Sequence, residues 1–130
     1  MAEEELVDQM FNRVEPDPER VPMVEPPFTY KYELKAYVSN LLHNTRIGEE
    51  FQGVERKVLL NLFHNYTTDV WEIDDVEYIV VLYKLNRDDE GREWTSKVFD
   101  IKLNNGTHLQ HSYPKAITAY PRANITTIHL

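Results

Sequence analysis

Carboxylates that could do chemistry together gather at two places in the interior of this chain. Asp74 and Asp75, with Glu77 two residues on, could hold a hard cation or serve as an acid and base pair. The run Asn86-Arg87-Asp88-Asp89-Glu90-Gly91 has the oxygen donors at alternate positions and the sixth-place glycine of a calcium loop. Its twelfth position is Lys97, where such a loop needs a bidentate glutamate, so the run reads as a solvated turn. His108 and His111 would share a face only on a helix; on a strand their three-residue spacing sends them to opposite sides and rules out a shared metal. His43, His64 and His129 are scattered and read as capping or surface residues. Ser112-Tyr113-Pro114-Lys115 matches the spacing of a serine nucleophile and its lysine, but the Ser-Asp-Asn and Lys-Thr-Gly partners of that chemistry are missing. No glycine-rich phosphate loop and no cysteine is present. The expectation is a protein with no catalytic, cofactor-binding or metal-binding residues; the enzymatic alternative would use Asp74, Asp75 or His111 in a pocket between helices and sheet.

These side chains must be carried by elements that the periodicity outlines. Leu34, Tyr37, Val38, Leu41 and Leu42 fall on one face of a helix over about 30–44. A second over about 49–65 sets Phe51, Val54, Val58, Leu59, Leu62 and Phe63 on a broad stripe, with Gly53 weakening its first half. Residues 76–85 are β-branched or aromatic on both pleat faces, which predicts a strand central in a sheet. Residues 94–103 alternate, with Phe99, Ile101 and Leu103 on one side and Trp94, Val98, Asp100 and Lys102 on the other. Asn104-Asn105-Gly106 signals a hairpin, because Asn-Gly accepts positive φ, and 107–113 should then pair back. Pro114 should open one helical turn to Tyr120, and 123–130 reads as a closing strand. The fold class expected is α+β: two or three helices packed on a mainly antiparallel β-meander, with an extended proline-rich arm in front. Residues 1–27 form the arm and 28–130 a single domain of adequate size for one core.

The arm carries the acidity. Residues 1–26 hold eight acids against Arg13 and Arg20, or −6 of the formal −8, leaving the body near neutral and without a basic nucleic-acid footprint. Leu6, Val7, Met10, Phe11 and Val14 recur at helical spacing over 2–14, a length at which a lone helix is marginal in water. Five of the seven prolines follow within 15–27, enforcing an extended spacer. A short amphipathic helix on a stiff spacer is the physical form of a docking arm. The partner-binding residues expected are Leu6, Val7, Met10, Phe11 and Val14, together with Val21, Met23 and Val24 of the spacer. The function expected is a non-enzymatic interaction or structural subunit of an oligomeric or multi-component assembly, with protein partners, no nucleic acid and no membrane. A small acidic inhibitor or adaptor acting on a partner enzyme is the alternative. The acidic start, the lack of cysteine and the lack of a long apolar run lead to an expected cytoplasmic or virion location, not secretion, despite sequons at Asn65, Asn105 and Asn124.

Asn40-Leu41-Leu42, followed by Thr45-Arg46 and Gly48-Glu49, resembles a short segment of the phage baseplate wedge family related to a tail lysozyme. The resemblance is confined to residues 40–49, and the family's longer spacing before its sheet is missing here. It assigns no site residue; independently of it, a small chain with no cysteine, with an arm and without a catalytic motif fits a component of a large assembly such as a virion.

Overall fold

The computed structural model describes residues 24–66 and 71–130. The helix expected over 2–14 and the spacer as far as Met23 lie outside the described residues, as do the arm residues Leu6 to Met23 expected to bind a partner. Among the described residues the order is α1 (Lys31–Asn44), α2 (Gly53–Tyr66), a 3-10 turn (Ile73–Asp75), β1 (Val76–Arg87), β2 (Glu93–Leu103), β3 (His108–Leu109), α3 (Tyr113–Ala119) and a 3-10 segment (Arg122–Thr127). The three strands form one antiparallel sheet, so the chain is α+β.

α1 starts where Glu33 turns back on the helix entrance: its Oε1 accepts from the amides of Thr29 and Tyr30 at 2.8 and 3.1 Å, satisfying N–H groups that have no carbonyl in the first turn. Every residue of its expected stripe, Leu34, Tyr37, Val38, Leu41 and Leu42, is buried. Each such side chain contributes about 1.5–3 kcal/mol on leaving water. α2 begins four residues later than its periodicity suggests. Phe51 is buried, but through the sheet edge and not through a helix: its amide donates to the Ile79 carbonyl at 3.0 Å, and Gly48 donates to Val81 at 2.9 Å. Gly53 therefore opens α2 with φ near +60° instead of weakening its middle, and Val54, placed on the stripe by spacing, is exposed.

β1 and β2 pair along their whole length, Val81 facing Phe99 and Leu85 facing Thr95. The order β1-β2-β3 makes β2 the middle strand, which corrects the placement of 76–85 at the sheet's centre. The segment around Ile47–Phe51 closes part of the outer edge of β1, with Ile47 bridging Val81 in parallel. The Asn-Asn-Gly connection forms as a three-residue loop in which Gly106 takes φ near +93° and Leu103 N donates to Thr107 O at 2.8 Å. Pairing then stops at Leu109, because Ser112 ends the extended run by accepting from the Lys115 amide at the start of α3. α3 has Pro114 in its first turn, where the missing N–H costs nothing.

The closing strand does not form. Residues 122–127 wind into a 3-10 segment whose Ile125 and Ile128, three apart, both enter the core. Ile125, Thr126, Thr127 and Ile128 have strand propensity, but burial of Ile125 and Ile128 at a period of three outweighs it. One apolar cluster runs from Phe28 to Ile128 and takes residues from all three α-helices and from the Ile79, Val81, Phe99, Ile101 face of the sheet. Phe99 sits at its middle, with ring centroids of Phe63 and Phe51 at 5.7 and 5.8 Å and Tyr113 edge-on at 6.3 Å.

Candidate interaction surfaces

The helices cover only the base of the β1–β2 ribbon. Ile79, Val81, Phe99 and Ile101 on that face are buried, whereas the next positions outward, Tyr83 and Leu85, are 63% and 61% exposed. Trp94, across from Asn86 on the opposite face, is 51% exposed. The ribbon thus runs out past the helical layer with large apolar side chains on both faces. Among the described residues its edge is open as well. The carbonyls of Ile79 and Val81 point away from β2, since they accept from Phe51 and Gly48, and by the alternation of an antiparallel pair the backbone groups of Tyr83 and Leu85 point the same way. No backbone group of the described residues pairs with that stretch. Edges of this kind are ordinarily blunted or covered.

The ribbon's tip is ordered by its own charges. Asp88 Oδ1 accepts from the amides of Glu90 and Arg92 at 2.9 and 3.0 Å, and its Oδ2 accepts from Arg92 Nε at 2.7 Å. Partial desolvation raises the Asp88 carboxyl, but the Arg92 guanidinium and these backbone N–H groups together outweigh it and hold the group below its usual range. Arg87 pairs with Glu93 across the ribbon. The loop that resembled the start of a calcium site spends its first carboxylate on its own turn.

On the outer face of the sheet Asp100 is 1% exposed. It accepts from His108 Nδ1 at 2.8 Å and from Gln110 Nε2 at 3.1 Å, with the His108 ring half exposed beyond it. The carboxylate of Asp100 can only accept, so Nδ1 is the nitrogen of His108 that donates to it. Lys102 stands beside it, paired with Glu77 at 3.2 Å. Sequence spacing placed His108 and His111 on opposite sides of one strand, but β3 ends at Leu109, and His111, beyond it, stacks on Phe63 at 6.1 Å and meets the Tyr66 edge at 5.7 Å. Asp75 Oδ2 accepts from the Glu72 amide at 2.9 Å and its carbonyl from Asn104, so the aspartate closes the 3-10 turn. Asp75 and His111 are thus engaged in local structure, and Asp74 accepts from Asn104 Nδ2 through its backbone carbonyl at 3.4 Å. Of the five histidines, His43 bonds the Ser39 carbonyl at 2.8 Å and His64 the Trp71 carbonyl at 3.0 Å. Among the described residues no group of three or more histidine, aspartate or glutamate side chains converges on a metal-sized point.

A third surface lies on the helical side. α3 presents a shallow groove of about 300 Å³ lined by Pro114, Lys115, Thr118 and Ala119, and Lys31 reaches it from α1, its Nζ donating to the Thr118 carbonyl at 2.8 Å.

Of the arm residues expected to bind a partner, Val24 lies among the described residues, and it packs half-buried against the core. The ribbon surface was missed by sequence reasoning because Tyr83 and Leu85 continue the apolar pattern of buried Ile79 and Val81 without a break. Only the length of β1 relative to the helices could have signalled it. Comparison with protein-family models, with curated proteins and with solved structures finds no match. No described helix is long and apolar enough to cross a membrane.

Proposed function

We propose that this protein is a non-enzymatic interaction subunit of a larger protein assembly, docking through its acidic N-terminal arm and presenting the β1–β2 ribbon as a second contact surface. The observation that supports it best is the exposure of Tyr83, Leu85 and Trp94 beside an open strand edge. Aromatic and leucine side chains left in water at a projecting end are what a protein contact buries, and an open edge adds backbone hydrogen bonds to an incoming strand. A virion component is one form such a subunit takes.

The test uses the full chain, tagged and purified from its native host under mild conditions. The native mass of the particle that carries it should exceed the 15.4 kDa of a single chain. A Leu6→Asp/Met10→Asp chain and a Tyr83→Ser/Leu85→Ser chain should each lose companions while keeping the wild-type circular dichroism spectrum. A chain that elutes alone, or variants that retain every companion, would sink the reading.

A further inference from the structure

β1 outlasts the segment that closes its outer edge. Gly48 and Phe51 donate to the outward carbonyls of Val81 and Ile79; beyond them the outward groups of Tyr83, Leu85 and Arg87 have no backbone partner among the described residues. The open run is therefore bounded at both ends. Ile47 and Gly48 lie beside Val81 at one end, and at the other the chain leaves the edge at Asp88, whose amide donates to Arg92 across the turn.

An incoming strand has to reach those groups without displacing Gly48, and a second copy of the same run does so in one antiparallel register. With Leu85 opposite the other copy's Leu85, Tyr83 of each chain faces Arg87 of the other, and each of the three facing pairs exchanges two N–H···O bonds. No like charges are opposed. Lys84 falls opposite Asn86, and the Arg87 guanidinium comes against the Tyr83 ring on the same face. An axis at Lys84 would set lysine on lysine and bring Arg87 to Val81, whose carbonyl Gly48 already holds. An axis at Asn86 leaves Tyr83 unpaired.

The same register brings opposite charges together. Position 81 of one copy is level with position 89 of the other, and Ile47 bridges Val81, so the tip carrying Asp89 arrives at the segment carrying Arg46. Both residues are exposed, and neither is in an ion pair among the described residues, since Arg92 holds Asp88 and Glu90 instead. The acids that follow Arg46 are directed elsewhere. Glu49 lies near the Glu55 carboxylate of α2, and Glu50 accepts from Gln52 Nε2 at 3.5 Å. On the helical face Tyr83 and Leu85 of both copies would make one apolar strip, flanked by Ile47, itself 41% exposed. The two Val81 residues stand eight positions apart along the strands, about 26 Å, which keeps the two helical layers clear of each other.

We propose that the open edge of β1 at Tyr83, Leu85 and Arg87 pairs antiparallel with the same edge of a second copy, closing a two-fold dimer with a continuous sheet and an Arg46–Asp89 contact at each end. The inference rests on the ribbon-contact reading above and names the partner.

Sedimentation velocity on the full chain over rising concentration tests it. The wild type should pass from monomer to dimer and no further, with the micromolar or weaker affinity of a small contact. Amide exchange at Tyr83, Leu85 and Arg87 should slow as the dimer forms. Leu85→Lys should weaken the dimer about tenfold or more. Arg46→Glu and Asp89→Arg should each weaken it about threefold or more, and an equal mixture of those two chains should recover the wild-type affinity, because both contacts are then again between opposite charges. Should Leu85→Lys unfold the chain, the charge exchange carries the comparison. A wild type still monomeric at about 0.5 mM, a dimer indifferent to these substitutions, edge amides whose exchange ignores concentration, or a mixture no tighter than its components would overturn the dimer. A monomeric wild type leaves the ribbon to a different protein; that reading falls only if the Tyr83→Ser/Leu85→Ser chain keeps every native companion.

Discussion

Removing His108 should cost this domain more than its half-exposed position suggests. The ring's Nδ1 is one of two donors to Asp100, at 2.8 Å, and Asp100 is 1% exposed, so water cannot take the donor's place without opening the sheet's outer face. A hydrogen bond to a charged group contributes about 1.5–3 kcal/mol net, and a buried carboxylate oxygen left without a donor carries the full desolvation penalty. His108→Ala is therefore expected to destabilise by about 2–3 kcal/mol. Asp100→Ala should cost about 1–2 kcal/mol, because the released His108 and Gln110 side chains are near the surface and rehydrate. The double variant should be little worse than His108→Ala, giving a coupling energy of about 1–2 kcal/mol in a double-mutant cycle. Urea unfolding followed by tryptophan fluorescence measures all four proteins, with unchanged m-values as the check that the denatured state is the same. In thermal scans the single losses correspond to about 4 °C or more per kcal/mol for a domain of this size. A coupling below about 0.5 kcal/mol, the range of independent sites, would refute the claim that the pair acts as a unit.

Two further outcomes follow from buried polar groups in the helical layer. Burial, then the Glu55 and Glu25 carboxylates, push the Tyr37 hydroxyl up to about 12. Its stabilising contribution is complete below the ordinary tyrosine value of 10.0 and drains away between pH 10 and 12, where the unfolded chain has lost the proton and the folded one keeps it. The loss should total roughly 2–3 kcal/mol. Difference absorbance of the wild type against Tyr37→Phe reads the group directly, and titration with the other tyrosines near pH 10 would contradict the assignment. Asn61 ties the C-terminal segment down, its Nδ2 donating to the Ile128 carbonyl at 3.2 Å and its Oδ1 accepting from Tyr120 Oη at 3.0 Å. Asn61→Ala should cost about 1–3 kcal/mol in chemical unfolding and loosen amide protection after Tyr120. A loss no larger than that of exposed Asn65→Ala would show the bridge to be idle.

Where a residue's neighbours in sequence are also its neighbours in space, the reading of the chain held. Leu34, Tyr37, Val38, Leu41 and Leu42 announced α1 by spacing, and they are buried as spaced. Phe99, Ile101 and Leu103 announced the inner face of β2 in the same way. Asn105 and Gly106 set the turn between β2 and β3, since the backbone conformation they accept is a local property. The solvated reading of Asp88 was legible too, because the missing twelfth ligand is visible at Lys97.

What the chain did not disclose depends on segments far apart along it. That Phe51 is buried by pairing with Ile79, and not by a helix stripe, needs the loop after α1 to lie along β1, a contact between residues 28 apart that leaves no local pattern. Ile125 and Ile128 are apolar under either reading; their burial in the core three residues apart, a tertiary matter, accompanies a 3-10 segment and not a strand. The exposure of Tyr83, Leu85 and Trp94 follows from how far the helices reach over the sheet, and composition carries no information about reach. By itself, then, the sequence determined the buried faces of α1 and β2, the presence of a turn between β2 and β3 and the acidity of the first 26 residues, because these are properties of near neighbours. Tertiary structure alone decided which apolar residues stay in water, because burial depends on what packs on each surface.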